Sequence, residues 1–301
     1  MNKLITVIGA ANVDIIATPL QAYRPCESNP SRVSIGFGGV GRNIAHNLRL
    51  LGQDVHFISA FGSDAIAQTL LGDCRRLGMT VDPVVKIDHA RSNYFICIND
   101  ENGEMQAGAA DMELMNGLTP AMLAAEGGRL NACRAVVADC NVSEDVLVHL
   151  ARHCSAPLYV DATSMAKAMR LQPVLRVERT APLIVKANLA EACALARHDG
   201  SAEEIARSLA SEGIDRLYVT MGAQGVYCHN GIDGIAMPAR PVKVVNATGA
   251  GDAFMAAVVH AELHGMAMAE AAGLGMRAAA VALQCPTAVS KGIGALRLHP
   301  K

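Results

Sequence analysis

Short apolar runs alternate along most of the chain with segments of helical periodicity. The apolar runs are hydrophobic on both faces and rich in β-branched residues, which is typical of strands buried on both sides. The predicted strands are Leu4–Ile8, Val55–Ala60, Ala135–Ala138, Leu158–Val160, Leu183–Val185 and Leu217–Thr220. The predicted helices are Arg42–Leu51, Ala65–Leu77, Glu144–His153, Leu189–Ala196, Ala202–Ser211 and the alanine-rich segment from Ala250 to Leu283. This alternation predicts an α/β protein with a mostly parallel sheet and helices on both faces.

Two stretches interrupt the alternation. Residues 15–36 contain three prolines and show no helical period, and residues 92–108 have the pattern of a hairpin around Asp100–Gly103. Both stretches are too short to form a core of their own. We therefore expect a single domain over residues 1–301, in which these two segments form a small β-sheet that acts as a lid over a cleft.

Composition narrows the class of protein. The chain is 51% hydrophobic and 18% charged, which excludes disorder, and a net charge of −2 gives no basic excess for nucleic acid. The sequence contains no run of 18 apolar residues, so it predicts no membrane span and we expect no membrane partner. The nine cysteines are odd in number and form no C-x-x-C pair. This usage favours a reducing compartment, and we expect a cytoplasmic protein.

The segment Asn246–Phe254 carries the clearest chemistry. It follows an expected strand, Val242–Val245, and leads into an expected helix that begins near Gly251. Glycines at positions 249 and 251 permit a tight turn, in which backbone N–H groups at the helix start converge on an anion. Asp252 is then placed to take a proton from a hydroxyl group. The alternative is a structural turn, in which Asp252 only favours the helix dipole.

Two further glycine-rich loops are candidates for ligand binding. Gly36–Asn43 leads into a helix, and it could hinge a lid or let a substrate approach the backbone closely. Thr220–Gly225 follows a strand, which suits a phosphate or ribose but equally suits a hairpin turn into Val226–His229. No segment matches G-x-x-x-x-G-K-[ST], which excludes a P-loop enzyme, and Gly9–Asn12 lacks the dinucleotide-binding spacing.

Histidine pairs raise the question of a metal site. His149 with His153, and His260 with His264, are each four residues apart and share a helix face. Neither pair has the H-E-x-x-H order or an evident third ligand. We interpret both pairs as structural or surface residues, with a metal hydrolase as the most remote alternative.

Asn188 and Glu191 have the spacing of a helix capping box. Asn188 follows a predicted buried strand, and Glu191 stands three residues later. The functional alternative is that Glu191 holds Mg²⁺ through a water molecule.

Three of these features occur in this order in one known family. Gly38–Ala45 is similar to the N-terminal signature of the ribokinase (phosphofructokinase-B type) carbohydrate and nucleoside kinases, Asn188–Glu191 to their N-x-x-E magnesium motif, and Asn246–Phe254 to their C-terminal signature. The chain resembles this family over nearly its full length. The resemblance implies a ribokinase-like three-layer α/β/α sandwich with a mostly parallel central sheet and a small β-sheet lid. Within the family, three segments resemble the pseudouridine kinases, namely Ser28–Pro30, Gly39–Ala45 and Ala138–Glu144.

The resemblance also implies a role for each matching residue. The expected catalytic base is Asp252, and the expected anion hole for the transferring phosphoryl group is Gly249, Ala250 and Gly251. The expected substrate ligands are Asn12, Asp14, Gly39, Asn43 and Asn141. The expected ATP ligands are Asn188, Thr220, Gly222, Gly225, Thr248, Gly249 and Gly251, and the expected Mg²⁺ ligand is Glu191.

Two residues depart from the family pattern. Asn246 stands where many ribokinases carry an aspartate linked to monovalent-cation binding, which puts activation by K⁺ in doubt. Ala187 replaces a proline that is common before the N-x-x-E asparagine. We expect this second change to be tolerated, because Asn188 still caps the helix.

The resulting hypothesis is an ATP- and Mg²⁺-dependent kinase that phosphorylates the 5′-hydroxyl of pseudouridine. One alternative is the same chemistry on another nucleoside or a free sugar. Another is a catalytically silent protein that senses a sugar or nucleoside, but the retained Asp252, Gly249 and Gly251 argue against it. An apolar lid sheet is compatible with a homodimer formed through the lid and equally with a monomer.

Overall fold

The computed structural model describes residues 4–101 and 105–298 as fourteen strands and ten α-helices joined by short 3₁₀ turns. The strands are β1 Leu4–Ile8, β2 Asn12–Pro19, β3 Ser31–Gly38, β4 Asp54–Ile58, β5 Ala60–Phe61, β6 Val85–Lys86, β7 Tyr94–Asn99, β8 Met105–Asp111, β9 Ala135–Asp139, β10 Leu158–Asp161, β11 Leu183–Asn188, β12 Arg216–Thr220, β13 Val226–His229 and β14 Gly234–Met237. The helices are α1 Val40–Leu50, α2 Ala65–Arg76, α3 Pro120–Ala125, α4 Gly127–Ala132, α5 Glu144–His153, α6 Met165–Ala168, α7 Leu189–Ala196, α8 Ala202–Ser211, α9 Ala250–Leu263 and α10 Met268–Leu283. The 3₁₀ turns are Glu113–Gly117, Met169–Leu171, Val174–Arg176, Gly222–Gln224 and Lys291–Leu296.

Eight strands form the central sheet in the order β14-β13-β12-β11-β10-β9-β1-β4. The six strands from β12 to β4 pair in parallel, and β13 and β14 extend the β12 edge as antiparallel strands. The predicted mostly parallel sheet is therefore confirmed. Parallel strands bring their carboxyl ends to one edge, where α/β proteins bind their ligands.

Alternate side chains of each central strand enter two different cores. In β10, Leu158 and Val160 pack in the core shared with α5, α7 and α8, whereas Tyr159 packs in the core shared with α1, α2, α9 and α10. The β11 residue Ile184 follows Tyr159 into the second core. The sheet is thus covered by helices on both faces, which confirms the predicted three-layer α/β/α sandwich. No helix among the described residues is long and apolar enough to cross a membrane.

Helix α9 lies inside the second core rather than on its surface. Every residue from Asp252 to Ala261 is buried, and the helix packs between α1 and α10. A helix that is apolar all round belongs in an interior. The helix is half-buried at Ala250 and Gly251 and buried from Asp252 to Ala261.

A second sheet of four strands, in the order β3-β2-β7-β8, stands apart from the central sheet. It is built from the two stretches that were expected to form the small sheet, and its strands extend slightly beyond them, from Asn12 to Gly38 and from Tyr94 to Asp111. We call it the lid sheet. Within the predicted turn, Asn102 and Gly103 lie outside the described residues.

Two predictions about the C-terminal third are wrong. The structure places Val242–Val245 outside any strand, and the Val245 N–H donates at 2.7 Å to the carbonyl oxygen of Leu283, the last residue of α10. The residues from Ala250 onward form two helices instead of one. Gly265 (φ 78°) adopts a left-handed conformation that breaks the helix between α9 and α10.

Candidate active site

Charged side chains meet at the carboxyl ends of three neighbouring strands of the central sheet. Asp139 ends β9, Asp161 ends β10, and Lys186 lies near the end of β11. All three are buried. The first turn of α9, with Asp252, lies against the same edge, because a Cβ added to Gly251 would come within 2.5 Å of Lys186 Nζ.

Asp252 is a buried carboxylate in the first turn of α9. Its Oδ2 accepts a hydrogen bond from Asn43 Nδ2 at 2.9 Å, so two residues that were predicted for different roles are in direct contact. Burial and the nearby Asp161 raise the pKa of Asp252 to about 7, against the opposing effects of the Asn43 hydrogen bond and the Lys186 charge. A carboxylate with a pKa near neutrality is suited to accept a proton from a hydroxyl group.

The glycines at the start of α9 leave no room for side chains. Gly249 has a φ of 84°, and a Cβ on it would lie 2.0 Å from the Ala288 carbonyl oxygen. No side chain caps the helix, so the N–H groups of its first turn are not satisfied by a cap residue. Free N–H groups together with the positive end of the helix dipole form an anion site. Gly249, Ala250 and Gly251 thus have the geometry expected of an anion hole.

Asp139 fixes the loops around this site. Its Oδ2 accepts hydrogen bonds from the Ala10 N–H at 2.9 Å and the Gly41 N–H at 2.6 Å, and its Oδ1 accepts one from the Asn141 N–H at 2.8 Å. Three separate segments are therefore held by one carboxylate. Gly39 (φ 100°) is required beside them, since a Cβ there would lie 2.3 Å from the Ala10 carbonyl oxygen.

The remaining predicted substrate residues surround these loops. Asn12 is buried, and its Nδ2 donates to Asp14 Oδ1 at 2.5 Å. Burial raises the pKa of Asp14, although the Asn12 hydrogen bond and the Arg42 charge oppose this. Asn141 accepts a hydrogen bond at its Oδ1 from Lys167 Nζ. The side chains offer amide and carboxylate groups of the kind that bind sugar hydroxyls.

A mostly apolar cavity of about 550 Å³ opens beside the anion hole. Of the predicted ATP ligands, it is lined by Thr220, Gly222, Gly225 and Gly251. Its apolar wall includes Val226, Val242, Phe254, Met276 and Leu283. This volume and lining suit a nucleotide base and ribose. The other three predicted ATP ligands, Asn188, Thr248 and Gly249, do not line the cavity, although Gly249 directly precedes the lining residues Ala250 and Gly251.

The Thr220–Gly225 loop is also the hairpin turn that was considered as its alternative. Strand β13 begins at Val226 and pairs antiparallel with β12. Gly225 (φ 102°) lies so close to the next segment that a Cβ would be 2.0 Å from the Met237 carbonyl oxygen. The Thr220–Gly225 turn therefore has two roles, since it closes the hairpin between β12 and β13 and also forms part of the cavity wall.

Asn188 and Glu191 form the predicted capping box. Asn188 Oδ1 accepts from the Glu191 N–H at 2.9 Å, and Glu191 Oε2 accepts from the Asn188 N–H at 2.8 Å. Burial raises the pKa of Glu191, against the opposing charge of Lys186. In the described part of the chain, no group of three or more His, Cys, Asp or Glu residues could hold a metal. Glu191 is thus a single carboxylate, and a single carboxylate can hold Mg²⁺ when phosphates and water supply the other ligands.

The side-chain amide of Asn246 bridges two loops beside the anion hole. Its Oδ1 accepts from the Thr248 N–H at 2.9 Å, and its Nδ2 donates to the Pro286 carbonyl oxygen at 3.1 Å. These two partners fix the orientation of the amide, because the Thr248 N–H can only donate and the Pro286 carbonyl oxygen can only accept. The side-chain N–H of Asn246 thus donates to the Pro286 carbonyl oxygen, and an ionised aspartate at position 246 could not form this hydrogen bond.

The buried histidine of the second pair has a structural role. His260 Nδ1 lies 2.7 Å from Gln53 Nε2, and the Leu298 N–H donates to His260 Nε2 at 3.0 Å. Both ring nitrogens are therefore occupied by protein partners. The rings of His149 and His153 contact each other at 4.7 Å between centroids.

Fold and site together define a phosphotransferase that acts on a hydroxyl group of a sugar or nucleoside. The chain belongs to the pfkB family carbohydrate kinases, whose family model it matches over residues 2–292. It is 32% identical over 285 residues to a pseudouridine kinase of Escherichia coli (strain K12), covering 93% of this chain and 90% of that protein. It is 30% identical over 292 residues to a guanosine-inosine kinase of Exiguobacterium acetylicum, covering 93% and 94%.

Solved structures have the same fold. A carbohydrate kinase from Agrobacterium tumefaciens is 30% identical with a TM-score of 0.81, covering 98% of this chain and 96% of that chain. Arabidopsis thaliana ribokinase complexed with ribose and ATP has a TM-score of 0.82 at 19% identity, covering 99% and 100%. The expected ribokinase-like fold is confirmed.

Proposed function

We propose that this protein is a pseudouridine kinase, which transfers the γ-phosphoryl group of ATP to the 5′-hydroxyl of pseudouridine and releases ADP. The observation that carries the proposal is the buried Asp252 carboxylate, oriented by Asn43 in the first turn of an uncapped helix. A base beside an anion site is what phosphoryl transfer to a hydroxyl requires. The choice of pseudouridine is supported by the relative at 32% identity and by the segments Ser28–Pro30 and Ala138–Glu144.

In the proposed reaction, the 5′-hydroxyl gives its proton to Asp252 while its oxygen attacks the γ-phosphorus in line with the departing ADP oxygen. Asn43 keeps the carboxylate in position through its hydrogen bond. The N–H groups at the start of α9 stabilise the charge on the transferring phosphoryl group. Because the pKa of Asp252 is about 7, the carboxylate is both ionised in a large fraction of molecules at neutral pH and basic enough to accept the proton.

ATP is assigned to the cavity beside the anion hole. The residues assigned to it are Thr220, Gly222, Gly225, Thr248, Gly249 and Gly251. Mg²⁺ bound with ATP would supply a counter-charge for the phosphates. Glu191 would hold this ion through water, and the capping box with Asn188 keeps its carboxyl group in place.

The sugar is assigned to the loops held by Asp139. The residues assigned to it are Asn12, Asp14, Gly39, Asn43 and Asn141. The whole chain would act as one kinase domain, in which the lid segments 15–36 and 92–108 close over the nucleoside and exclude water.

The test is a substrate panel of pseudouridine, uridine, guanosine, inosine, adenosine, ribose and fructose 6-phosphate with ATP-Mg²⁺, measured by ADP release. We expect the highest kcat/KM for pseudouridine. If ribose or another nucleoside exceeds it by about tenfold or more, a difference of about 1.4 kcal/mol in transition-state binding, the assignment to pseudouridine is wrong.

A purine nucleoside is the second candidate substrate. The guanosine-inosine kinase is nearly as similar to this chain, at 30% identity, and matches it over almost its entire length. Guanosine and inosine are in the panel for this reason. A preference for them would leave the proposed chemistry intact and change only the base.

We also propose a homodimer formed through the lid sheet. Two rows of apolar side chains cross one face of this sheet, and its register pairs them as Ile35–Ile15–Ile96–Ala109 and Val33–Ala17–Ile98–Ala107. Ile35 is 72% exposed and Val33 60% exposed, far more than apolar residues of a covered sheet face. Light scattering on a size-exclusion column tests this: the wild type should elute as a dimer and Ile35→Lys as a monomer. A monomeric wild type at micromolar concentration would contradict the proposal.

The cysteines support a cytoplasmic location. All nine are free, and six of them are buried. Proteins of oxidising compartments usually use their cysteines in disulfides. Cell fractionation tests the location, and recovery in a secreted or periplasmic fraction would contradict it.

A further inference from the structure

The ammonium group of Lys186 lies where a helix disfavours a cation. Lys186 is 7% exposed, and a Cβ added to Gly251 would lie 2.5 Å from its Nζ. The ammonium group therefore sits directly against the first turn of α9, which is the positive end of the helix dipole. Two positive features converge on one point at the sheet edge, and both would attract the same anion.

Carboxylates keep this lysine charged in the absence of such an anion. Lys186 Nζ donates to Asp161 Oδ2 at 2.9 Å. Burial alone would lower the pKa of Lys186, but the charges of Asp161, Glu191 and Asp252 raise it above its usual value. The side chain is consequently an ammonium group over the whole range of pH in which the enzyme would work.

The ammonium group has donors to spare. A lysine has three N–H donors, and within the described chain the single hydrogen bond of Nζ is the one to Asp161. Asp161 in turn has a backbone partner of its own, since its Oδ1 accepts from the Thr163 N–H at 2.9 Å. Neutralising Asp161 therefore uses only part of the donor capacity of Lys186, and Gly251 at the start of α9 lies against the same Nζ.

We propose that Lys186 is a further catalytic residue, which binds a non-bridging oxygen of the transferring γ-phosphoryl group together with the N–H groups of Gly249–Gly251. This inference rests on the proposed kinase reaction. During transfer the bond from the γ-phosphorus to the ADP oxygen breaks, the bond to the substrate oxygen forms, and the hydroxyl proton passes to Asp252. Lys186 keeps its three protons throughout and stabilises charge.

The alternative is that Lys186 only neutralises Asp161, and the two roles predict different outcomes. Lys186→Met alone would leave a buried, unpaired carboxylate and could unfold the protein. The double variant Lys186→Met/Asp161→Asn removes both charges, and Asp161→Asn alone is its matched control because it retains the lysine. All variants are compared by thermal melting and by ADP binding in calorimetry, which establish that the nucleotide site is folded.

If Lys186 is catalytic, kcat of the double variant should be about 10²-fold or more below that of Asp161→Asn, a loss typical of removing one charge-stabilising donor. The affinity for ADP with aluminium fluoride, which imitates the transferring phosphoryl group, should fall by a similar factor, while that for ADP alone should change by less than about threefold. Lys186→Arg should recover part of kcat.

Equal kcat values for the double variant and Asp161→Asn would show that Lys186 is only a counter-ion and overturn the inference. The same holds if aluminium fluoride binding is unchanged. These outcomes differ from a failure of the proposed function, in which the wild-type enzyme itself would phosphorylate none of the compounds in the substrate panel.

Discussion

Helices α7 and α9 both begin near the carboxyl end of β11, and their first turns differ in one respect. Helix α7 is closed by the reciprocal hydrogen bonds of Asn188 and Glu191. Helix α9 begins at Ala250, and the cap residue before it, Gly249, has no side chain to offer. A closed cap satisfies the N–H groups of a helix internally and adds stability. An open one leaves those groups to a ligand, so the missing cap on α9 is the feature that supports the proposed anion site.

The largest expected effect comes from removing the charge at the open terminus. Asp252→Asn keeps the size of the side chain and an oxygen that can accept from Asn43, but it removes the base. General-base catalysis typically contributes about 10²–10⁴-fold, so kcat should fall by that factor in steady-state assays while calorimetric affinities for ATP and nucleoside change much less.

Asp145→Asn is the matched control for this substitution. Asp145 is also an acidic residue in a first helical turn, that of α5, but it is exposed on the surface. Its kcat should equal that of the wild type. An Asp252→Asn enzyme of near-wild-type kcat would remove Asp252 from the mechanism, and one that no longer binds either ligand would show a structural role.

The next effect concerns pH. Because Asp252 must be ionised to accept a proton and its pKa is about 7, kcat should fall by about tenfold for each pH unit below that value and level off above it. The residual rate of Asp252→Asn should lack this dependence. A wild-type profile that stays flat from pH 5.5 to 8 would contradict the role of this group.

Smaller effects of opposite sign are expected on stability. Folding raises the pKa of Asp252 from 3.8 to about 7. The contribution of this group to the free energy of unfolding is therefore most favourable below pH 3.8, its pKa in the unfolded chain, and is lost as the pH rises through about 7, its pKa in the folded protein. At pH 8, Asp252→Asn should therefore raise the free energy of unfolding, by on the order of 1–2 kcal/mol. Asn188→Ala should lower it by about 1 kcal/mol, because a satisfied cap is broken. Urea denaturation measures the free energy of unfolding of both variants. If the two substitutions changed it in the same direction, the contrast between the open start of α9 and the capped start of α7 would be contradicted.

The smallest expected effect is that of the monovalent cation. Asn246 holds the loop before α9 to the Pro286 carbonyl by an uncharged N–H, so replacing K⁺ by Na⁺ at constant ionic strength should change kcat little. Asn246→Asp loses that donor and gains a carboxylate, so we expect it to acquire K⁺ dependence. Activation of the wild type by several-fold in K⁺ would show that carbonyl oxygens alone can bind the ion.

Much of the fold was predictable because each central strand is apolar on both faces. The strands β1, β9, β10 and β12 begin and end within one residue of the predicted bounds, and β11 begins at the predicted residue but ends three residues later, at Asn188. Val242–Val245 is also rich in valine but joins no sheet, and its Val245 N–H donates to the Leu283 carbonyl oxygen instead of to a strand. The hydrophobic pattern of a segment indicates that it could form a strand, but it does not indicate whether another strand lies beside it to pair with.

The site was predictable where the residues form local motifs, as at Gly249–Asp252 and at Asn188 and Glu191. Sequence reasoning missed Asp139, Asp161 and Lys186, whose partners are distant along the chain. Their one local signal is a charged residue in or at the end of an otherwise apolar strand. A charged residue of this kind is buried only when it has a hydrogen-bond or ion-pair partner, so its position in the sequence already marks it as a candidate site residue.

The hydrogen bond between Asn43 and Asp252 joins residues 209 positions apart, and those from Ala10 and Gly41 to Asp139 span 129 and 98 positions. During synthesis the loops that would hold the sugar leave the ribosome long before α9 does. The proposed base and anion hole therefore follow these loops in synthesis, and the second core stays open until α9 and α10 arrive. A nascent chain that lacks α9 and α10 would expose the apolar face of the sheet that these helices cover.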